Sequence, residues 1–262
     1  MKKADVKLLE KLNYHYKAFD KSKISPDPLE FLHRYSNYYD IEISGIISST
    51  FAFGNIKQIM TILEKLHKIM GESPYKFVLK FDKEKHAKKF VNVYHRFYSS
   101  NDIVALFETL RDIYLTYGSL RYLFILYFFE KDISLKSAIT FFCENLNNIL
   151  NKHSEVTVGT RFMFPSPEKG SACKRMNLFL RWMIRKDELD FGLWNEISPS
   201  LLYIPIDTHI AKISKDLKLT TKKIVNWGMV EEITNNLKKF DANDPIKYDF
   251  ALCHLGMRKE QF

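Results

Sequence analysis

Apolar residues recur at three- and four-residue steps along most of the chain, the spacing that predicts helices with one buried face. Leu8, Leu9, Leu12, Tyr16 and Phe19 mark a helix over about residues 4–19. SPDPLEFLHRY then supplies a turn and a new start, with Ser25 or Asp27 as cap and Pro28 in the first turn, where its missing N–H costs nothing. Ile43, Ile46 and Ile47 belong to one further helix, and Ile56, Ile59, Met60, Leu63 and Leu66 to the next. Between them, SSTFAFGN sets small and polar residues around Phe51 and Phe53. Breaks of this kind on a helical scaffold are where function collects, although both phenylalanines equally suit a core.

Further helices are predicted over about 74–80, 83–98, 102–115, 119–129 and 134–150. Val156 to Ser171, VTVGTRFMFPSPEKGS, is the longest segment expected to be irregular. A basic helix from about Ser171 to Arg185 follows, then the connector SPSLLYIPI, a helix after Asp207, and two last helices near 225–240 and 245–257. No segment shows the sustained alternation of a half-buried strand, and no repeat or Gly/Ser linker divides the chain. The expected fold class is all-α.

Composition supports that expectation: Gly 9 and Pro 8 are too few for the tight turns of an all-β sandwich or barrel. A chain of 262 residues, 46% of them apolar, supplies one sizeable core or two lobes sharing one. The formal charge of +9 makes polyanions natural partners, through steering and counterion release. Cys143, Cys173 and Cys253 lie far apart, with no C-x-x-C and no H-E-x-x-H, so neither zinc nor an iron–sulfur cluster finds a local ligand set and a reducing compartment is expected. The opening MKKADVKLLEKLNYHYKAF carries charges throughout, unlike a signal peptide. Tyr122–Phe129, YLFILYFF, is far shorter than the roughly 20 residues that span a bilayer. A cytosolic protein with no membrane contact and no cofactor is expected.

Two residues stand out for chemistry. On the predicted basic helix, Ala172, Met176, Phe179, Leu180 and Met183 share a core side, while Lys174, Arg181 and Arg185 fall near one line on the other. Lys174 sits in the first turn, where free amides and the helix dipole disfavour a cation. That position, with Arg175 adjacent, predicts a depressed amine pKa and hence a nucleophile. Lys169 is the alternative if the helix begins later. Asp207 opens the next helix, whose buried stripe is Ile210, Ile213 and Leu217, and its carboxylate is placed to accept from the amides of His209 or Ile210. Capping keeps the acid ionised and leaves one oxygen for a substrate.

These residues carry a resemblance. IPIDTHIAKISKDLKL resembles the proline-x-aspartate-threonine-histidine segment of the helix-hairpin-helix DNA glycosylase superfamily, which includes endonuclease III and the 8-oxoguanine glycosylases. GSACKRMNLFLRWM is similar to that superfamily's hairpin and second hairpin helix, with Lys174 at the place of its lysine nucleophile. YDFALCHLGM resembles the last core helix, and IISSTFAFGNIKQIMTILEKL the early helix–loop–helix whose loop enters the duplex. Over roughly residues 27–257 the chain most resembles a bacterial branch known only as a domain of unknown function (DUF2400-like).

The resemblance implies a two-lobed helical fold with a cleft. The terminal segments would share one lobe, and about residues 60–200 would contribute the other. It implies a monomeric DNA repair glycosylase with abasic-site lyase activity, acting on double-stranded DNA with a damaged base, such as an oxidised purine, in the cytoplasm at the nucleoid. Asp207 would stabilise positive charge on the sugar, and Lys174 would displace the base and form a Schiff base. Gly170, Ser171, Arg175, Arg181, Arg185 and His209 are the candidate DNA contacts. Phe51, Phe53 or Asn55 would fill the gap left by the everted nucleotide, and Tyr248, Asp249 and Phe250 would line the base pocket. Trp182 is a further stacking candidate. The chain departs from the pattern in its hairpin, where FPSPEKGSAC offers Gly170 alone, in the long KDELDFGLWNEIS connection, and in lacking the iron–sulfur cysteines of endonuclease III. A non-catalytic nucleic-acid-binding module is the other expectation for this scaffold.

Overall fold

The computed structural model describes residues 3–128 and 134–258. Among the described residues there are helices and two isolated β-bridges, His95 with Tyr98 and Lys186 with Phe191, but no strand. The protein is all-α. It folds as two compact units: Met1–Ser25 together with Gly170–Phe262, and Pro26–Lys169. The inserted unit therefore runs from Pro26 to Lys169 rather than over about 60–200.

Helix α1 (Lys3–Ala18) opens the discontinuous unit. The inserted unit begins with a 3-10 segment, Pro28–Arg34, capped by Asp27 rather than Ser25. It continues through α2 (Tyr38–Phe51), α3 (Ile56–Met70), α4 (Pro74–Leu79), α5 (Lys83–His86), α6 (Ser100–Tyr117), α7 (Leu120–Phe128), α8 (Leu135–His153) and α9 (Val158–Met163). The chain then returns to the first unit with α10 (Lys174–Ile184), α11 (Thr208–Asp216), α12 (Trp227–Leu237) and α13 (Asp249–Arg258). Phe129, the end of the longest apolar run, lies outside the described residues.

In the inserted unit α2 is apolar or small on every side apart from Asp40 and Glu42, and it is surrounded: Asp40 to Phe51 are all buried. Its Glu42 is answered at full burial by the Tyr114 hydroxyl at 2.5 Å and the amides of Leu120 and Arg121 at 3.0 and 3.2 Å. These amides are orphan donors of the α7 N-terminus, which a carboxylate satisfies both as acceptor and as anion. Two expectations change here. The helix predicted over 83–98 stops at His86 and a 3-10 turn ending at Phe90, because Asn92 and Arg96 take φ of 62° and 53°, outside the helical region. The segment expected to be irregular, 156–171, contains α9, started by a Thr157 and Thr160 capping box.

In the discontinuous unit α10 buries Met176, Phe179, Leu180, Trp182 and Met183 as its apolar face. Its opposite stripe is not a solvated one. Arg181 and Arg185 are each only 2% exposed. Arg181 donates to Asp190 at 3.1 Å and Asp249 at 2.6 Å; Arg185 donates to Asp187 and Asp190, both at 2.6 Å, and to Asp244 at 2.8 Å. The Tyr16 hydroxyl of α1 accepts from Arg185 at 3.1 Å and donates to Asp187 at 3.3 Å. Breaking one side of a buried ion network leaves uncompensated charge, which costs about 3–5 kcal/mol. Arg181→Ala is thus expected to lower the unfolding free energy by about 3–5 kcal/mol in urea titration. A loss below about 1 kcal/mol, typical of an exposed pair, would contradict the closed network.

Candidate functional site

The approach to α10 is tied down residue by residue. Gly170 C=O accepts from Trp227 N at 3.1 Å, joining the loop to the start of α12. Ser171 Oγ accepts from Cys173 N at 3.2 Å, Ala172 C=O from Asn177 Nδ2 at 3.2 Å, and Cys173 C=O from Asn177 N at 2.9 Å. Cys173 caps the helix with φ of 46°, a left-handed conformation that costs a non-glycine residue roughly 1–2 kcal/mol, so it persists only because its neighbours hold it. Burial pushes its thiol up to about 11, outweighing the Ser171 hydrogen bond and the nearby Arg175, and leaves it an un-ionised group beside Lys174. Lys174 is the first residue of the helix.

The second half of the site comes from the extended IPI segment. Ile204 and Ile206 are buried, and Ile204 N donates to Thr234 Oγ1 of α12 at 3.2 Å, which fixes where the chain turns into α11. Asp207 is the N-cap: Oδ1 accepts from His209 N at 2.8 Å and Ile210 N at 2.9 Å. Its other oxygen, Oδ2, lies 3.3 Å from Lys174 Nζ. The two side chains remain 31% and 20% exposed, so the pair is reachable. Burial raises the Asp207 pKa, but the Lys174 charge and the Ile210 amide outweigh it and hold the carboxyl below its ordinary value. The result is an ionised acid with one oxygen fixed by backbone and the other against an amine.

The structure sorts the remaining predicted residues. Arg181 and Arg185 are not DNA contacts: their guanidiniums are consumed inside the unit, and the same carboxylates hold both firmly protonated despite burial. Arg175 is likewise buried. Gly170 and His209 are exposed and Ser171 is half-buried, so these three keep accessible surface. Phe51 is fully buried against His95 and Tyr98 and is no wedge, while Phe53 is half-buried among His95, Phe97 and Phe162. Asn55 is exposed and caps α3, accepting from Lys57 N at 2.9 Å. Trp182 is core.

Tyr248, Asp249 and Phe250, expected to line a base pocket, are all buried and engaged in packing. Tyr248 donates to Asn13 at 3.1 Å, Phe250 meets Phe19 edge-on at 5.9 Å, and Asp249 is held by Arg181. Burial pushes Asp249 up to about 6 against the pull of Arg181, and the charge of Asp207 adds to the rise. Lys169 closes a 3-10 turn in the inserted unit, and the amine paired with Asp207 is that of Lys174. Sequence reasoning missed Asp187, Asp190 and Asp244; the signal for the first two was RKDELD, three acids within five residues of Arg185. Among the described residues no three His, Cys, Asp or Glu side chains converge to hold a metal, and no helix is long and apolar enough to cross a membrane.

The fold and site together define an all-helical protein that presents a lysine amine and a capped carboxylate at the starts of two helices. The chain belongs to the family described as "Protein of unknown function (DUF2400)", which matches residues 27–258. No match is found among the curated proteins or among the solved structures.

Asparagine caps a helix about as well as aspartate. Asp207→Asn should therefore keep most of the stability that Asp207→Ala loses, about 1 kcal/mol in urea unfolding. Because the folded pKa lies below 3.8, the ionised cap stabilises fully above that value and the benefit is lost as pH falls through the folded pKa. The wild-type advantage over Asp207→Asn should shrink below pH 3.8 in the same titration; an advantage that grows on acidification would contradict the assignment.

Proposed function

We propose that the protein is a DNA repair glycosylase with associated abasic-site lyase activity, acting on double-stranded DNA through a Schiff base on Lys174. One observation carries the reading: Lys174 Nζ lies 3.3 Å from Asp207 Oδ2 at a partly exposed site. It agrees with what the resemblance of GSACKRMNLFLRWM and IPIDTHIAKISKDLKL implies. The same resemblance brings the two-lobed glycosylase-type fold and nucleoid association into the proposal, with a damaged base, such as an oxidised purine, as the target.

In this mechanism Oδ2 takes the proton that the amine sheds, and Oδ1 stays fixed by the His209 and Ile210 amides. Asp207 hands that proton on to the departing base and, ionised again, offsets the positive charge that develops as the bond between C1′ and the base stretches. The neutral amine attacks C1′, the base leaves with the bonding electron pair and is protonated, and loss of a proton from nitrogen opens the sugar to the Schiff base. Removal of a C2′ proton then breaks the 3′ C–O bond. A second reading, a non-catalytic nucleic-acid-binding module, is favoured by the completeness of the pair, since Asp207 already has an acceptor role filled at each oxygen.

Borohydride reduction with abasic duplex DNA separates the two. The glycosylase–lyase reading expects a covalent adduct that Lys174→Ala abolishes and Asp207→Asn slows by roughly 100-fold or more, the usual worth of a positioned acid–base group. The binding-module reading expects binding with no adduct. An adduct unchanged in both variants would remove these residues from the chemistry.

A further inference from the structure

With Arg181 and Arg185 turned inward, exposed positive charge in this unit has to come from other elements, and the loop between α11 and α12 carries two lysines. Residues 221–225, TKKIV, are exposed, with Ile224 73% accessible. The loop is nevertheless fixed. Thr220 Oγ1, Thr221 N and Thr221 Oγ1 all donate to the Glu232 carboxylate, at 2.6, 3.2 and 2.9 Å. Lys222 N donates to Thr220 Oγ1 at 3.1 Å, and Lys215 Nζ of α11 donates to Lys223 C=O at 3.0 Å. Asn226 then caps α12, and Trp227 N reaches Gly170 C=O at 3.1 Å, four residues before Lys174.

We propose that Lys222 and Lys223, with Lys212 and Lys215 on the outer side of α11, grip the phosphates of duplex DNA in place of the glycine-rich hairpin that this chain lacks. The inference rests on the DNA reading above. Four exposed ammonium groups run along α11 from the Asp207 cap and across a loop that hydrogen bonds tie back to the start of α10. The acids nearby are largely engaged: Glu232 binds the two threonines, and Glu231 accepts from Trp227 Nε1 at 2.9 Å, leaving Asp216 as the exposed acid of α11. Ile224, exposed between the lysines and Val225, suits the apolar faces of deoxyribose. Lysine grips phosphate as a point charge without needing the close backbone approach that hairpin glycines give.

The test measures binding of the full chain to a duplex with a stabilised abasic-site analogue across a salt series, for wild type, Lys222→Ala/Lys223→Ala and Lys222→Arg/Lys223→Arg. Neutralising two phosphate contacts should flatten the slope of log K against log salt by about 1.8 and weaken binding roughly tenfold or more near 0.15 M salt. The arginine pair should retain both, and thermal melting should show all three equally folded. An unchanged slope in the alanine pair, or a wild type that binds RNA or anionic vesicles but no duplex, overturns the grip. Borohydride trapping of the alanine pair at low salt, with protein in excess, keeps the two claims apart. An adduct with an unchanged slope in the alanine pair removes the grip and leaves the glycosylase reading, whereas a flattened slope in the alanine pair beside a wild type that never traps leaves the grip and removes the catalysis.

Discussion

One row of bases on α10 faces one row of acids, and the discontinuous unit is arranged around that contact. Lys174, Arg181 and Arg185 lie seven and eleven residues apart, close to one azimuth of a helix. Their partners are Asp207, then Asp190 and Asp249, then Asp187, Asp190 and Asp244. The buried arginines fix the rotation of α10 about its axis, and once that is fixed, the first residue of the helix can only present its amine to the same side. The Lys174–Asp207 contact is the solvent-accessible end of a structural ion network, which is how a long, flexible lysine comes to be held at 3.3 Å from a carboxylate.

The balance of the row also explains its electrostatics. Three bases meet five acids, so the charges cannot all be cancelled. Burial drives Asp249 up to about 6 and raises Asp244, against the pull of their arginines. Asp207 has Lys174 and two backbone amides to itself, which outweigh its burial, and its pKa falls. The carboxylate held ionised next to Lys174 is thus the one at a partly exposed site, where a substrate can use its charge.

Much of this was legible in the chain. Helical spacing gave the fold class, and the cap at Asp207, with its His209 and Ile210 donors, followed from IPIDTHI because an acid before an amphipathic run has one dominant local use. The line through Lys174, Arg181 and Arg185 was geometrically right and chemically misread: periodicity says which residues share a face, not what that face meets. Its partners lie 2 to 68 residues away in sequence, and the distant ones, Asp207, Asp244 and Asp249, are beyond any local pattern. Glu42 was invisible for the same reason, since its donors are on α6 and α7. Of the left-handed residues that end a helix which apolar spacing alone would continue, Asn92 is of a type that tolerates that conformation and Arg96 has no such signature.

The account stands on the identity of the amine. Proteolysis and mass spectrometry of the borohydride-reduced complex with abasic DNA locate the adduct directly. A sugar remnant on Lys174, in the peptide that leads into NLFLR, is the predicted result. A remnant on Lys169, or on a lysine of the α11–α12 loop, would contradict the claim that the helix-start amine facing Asp207 is the nucleophile.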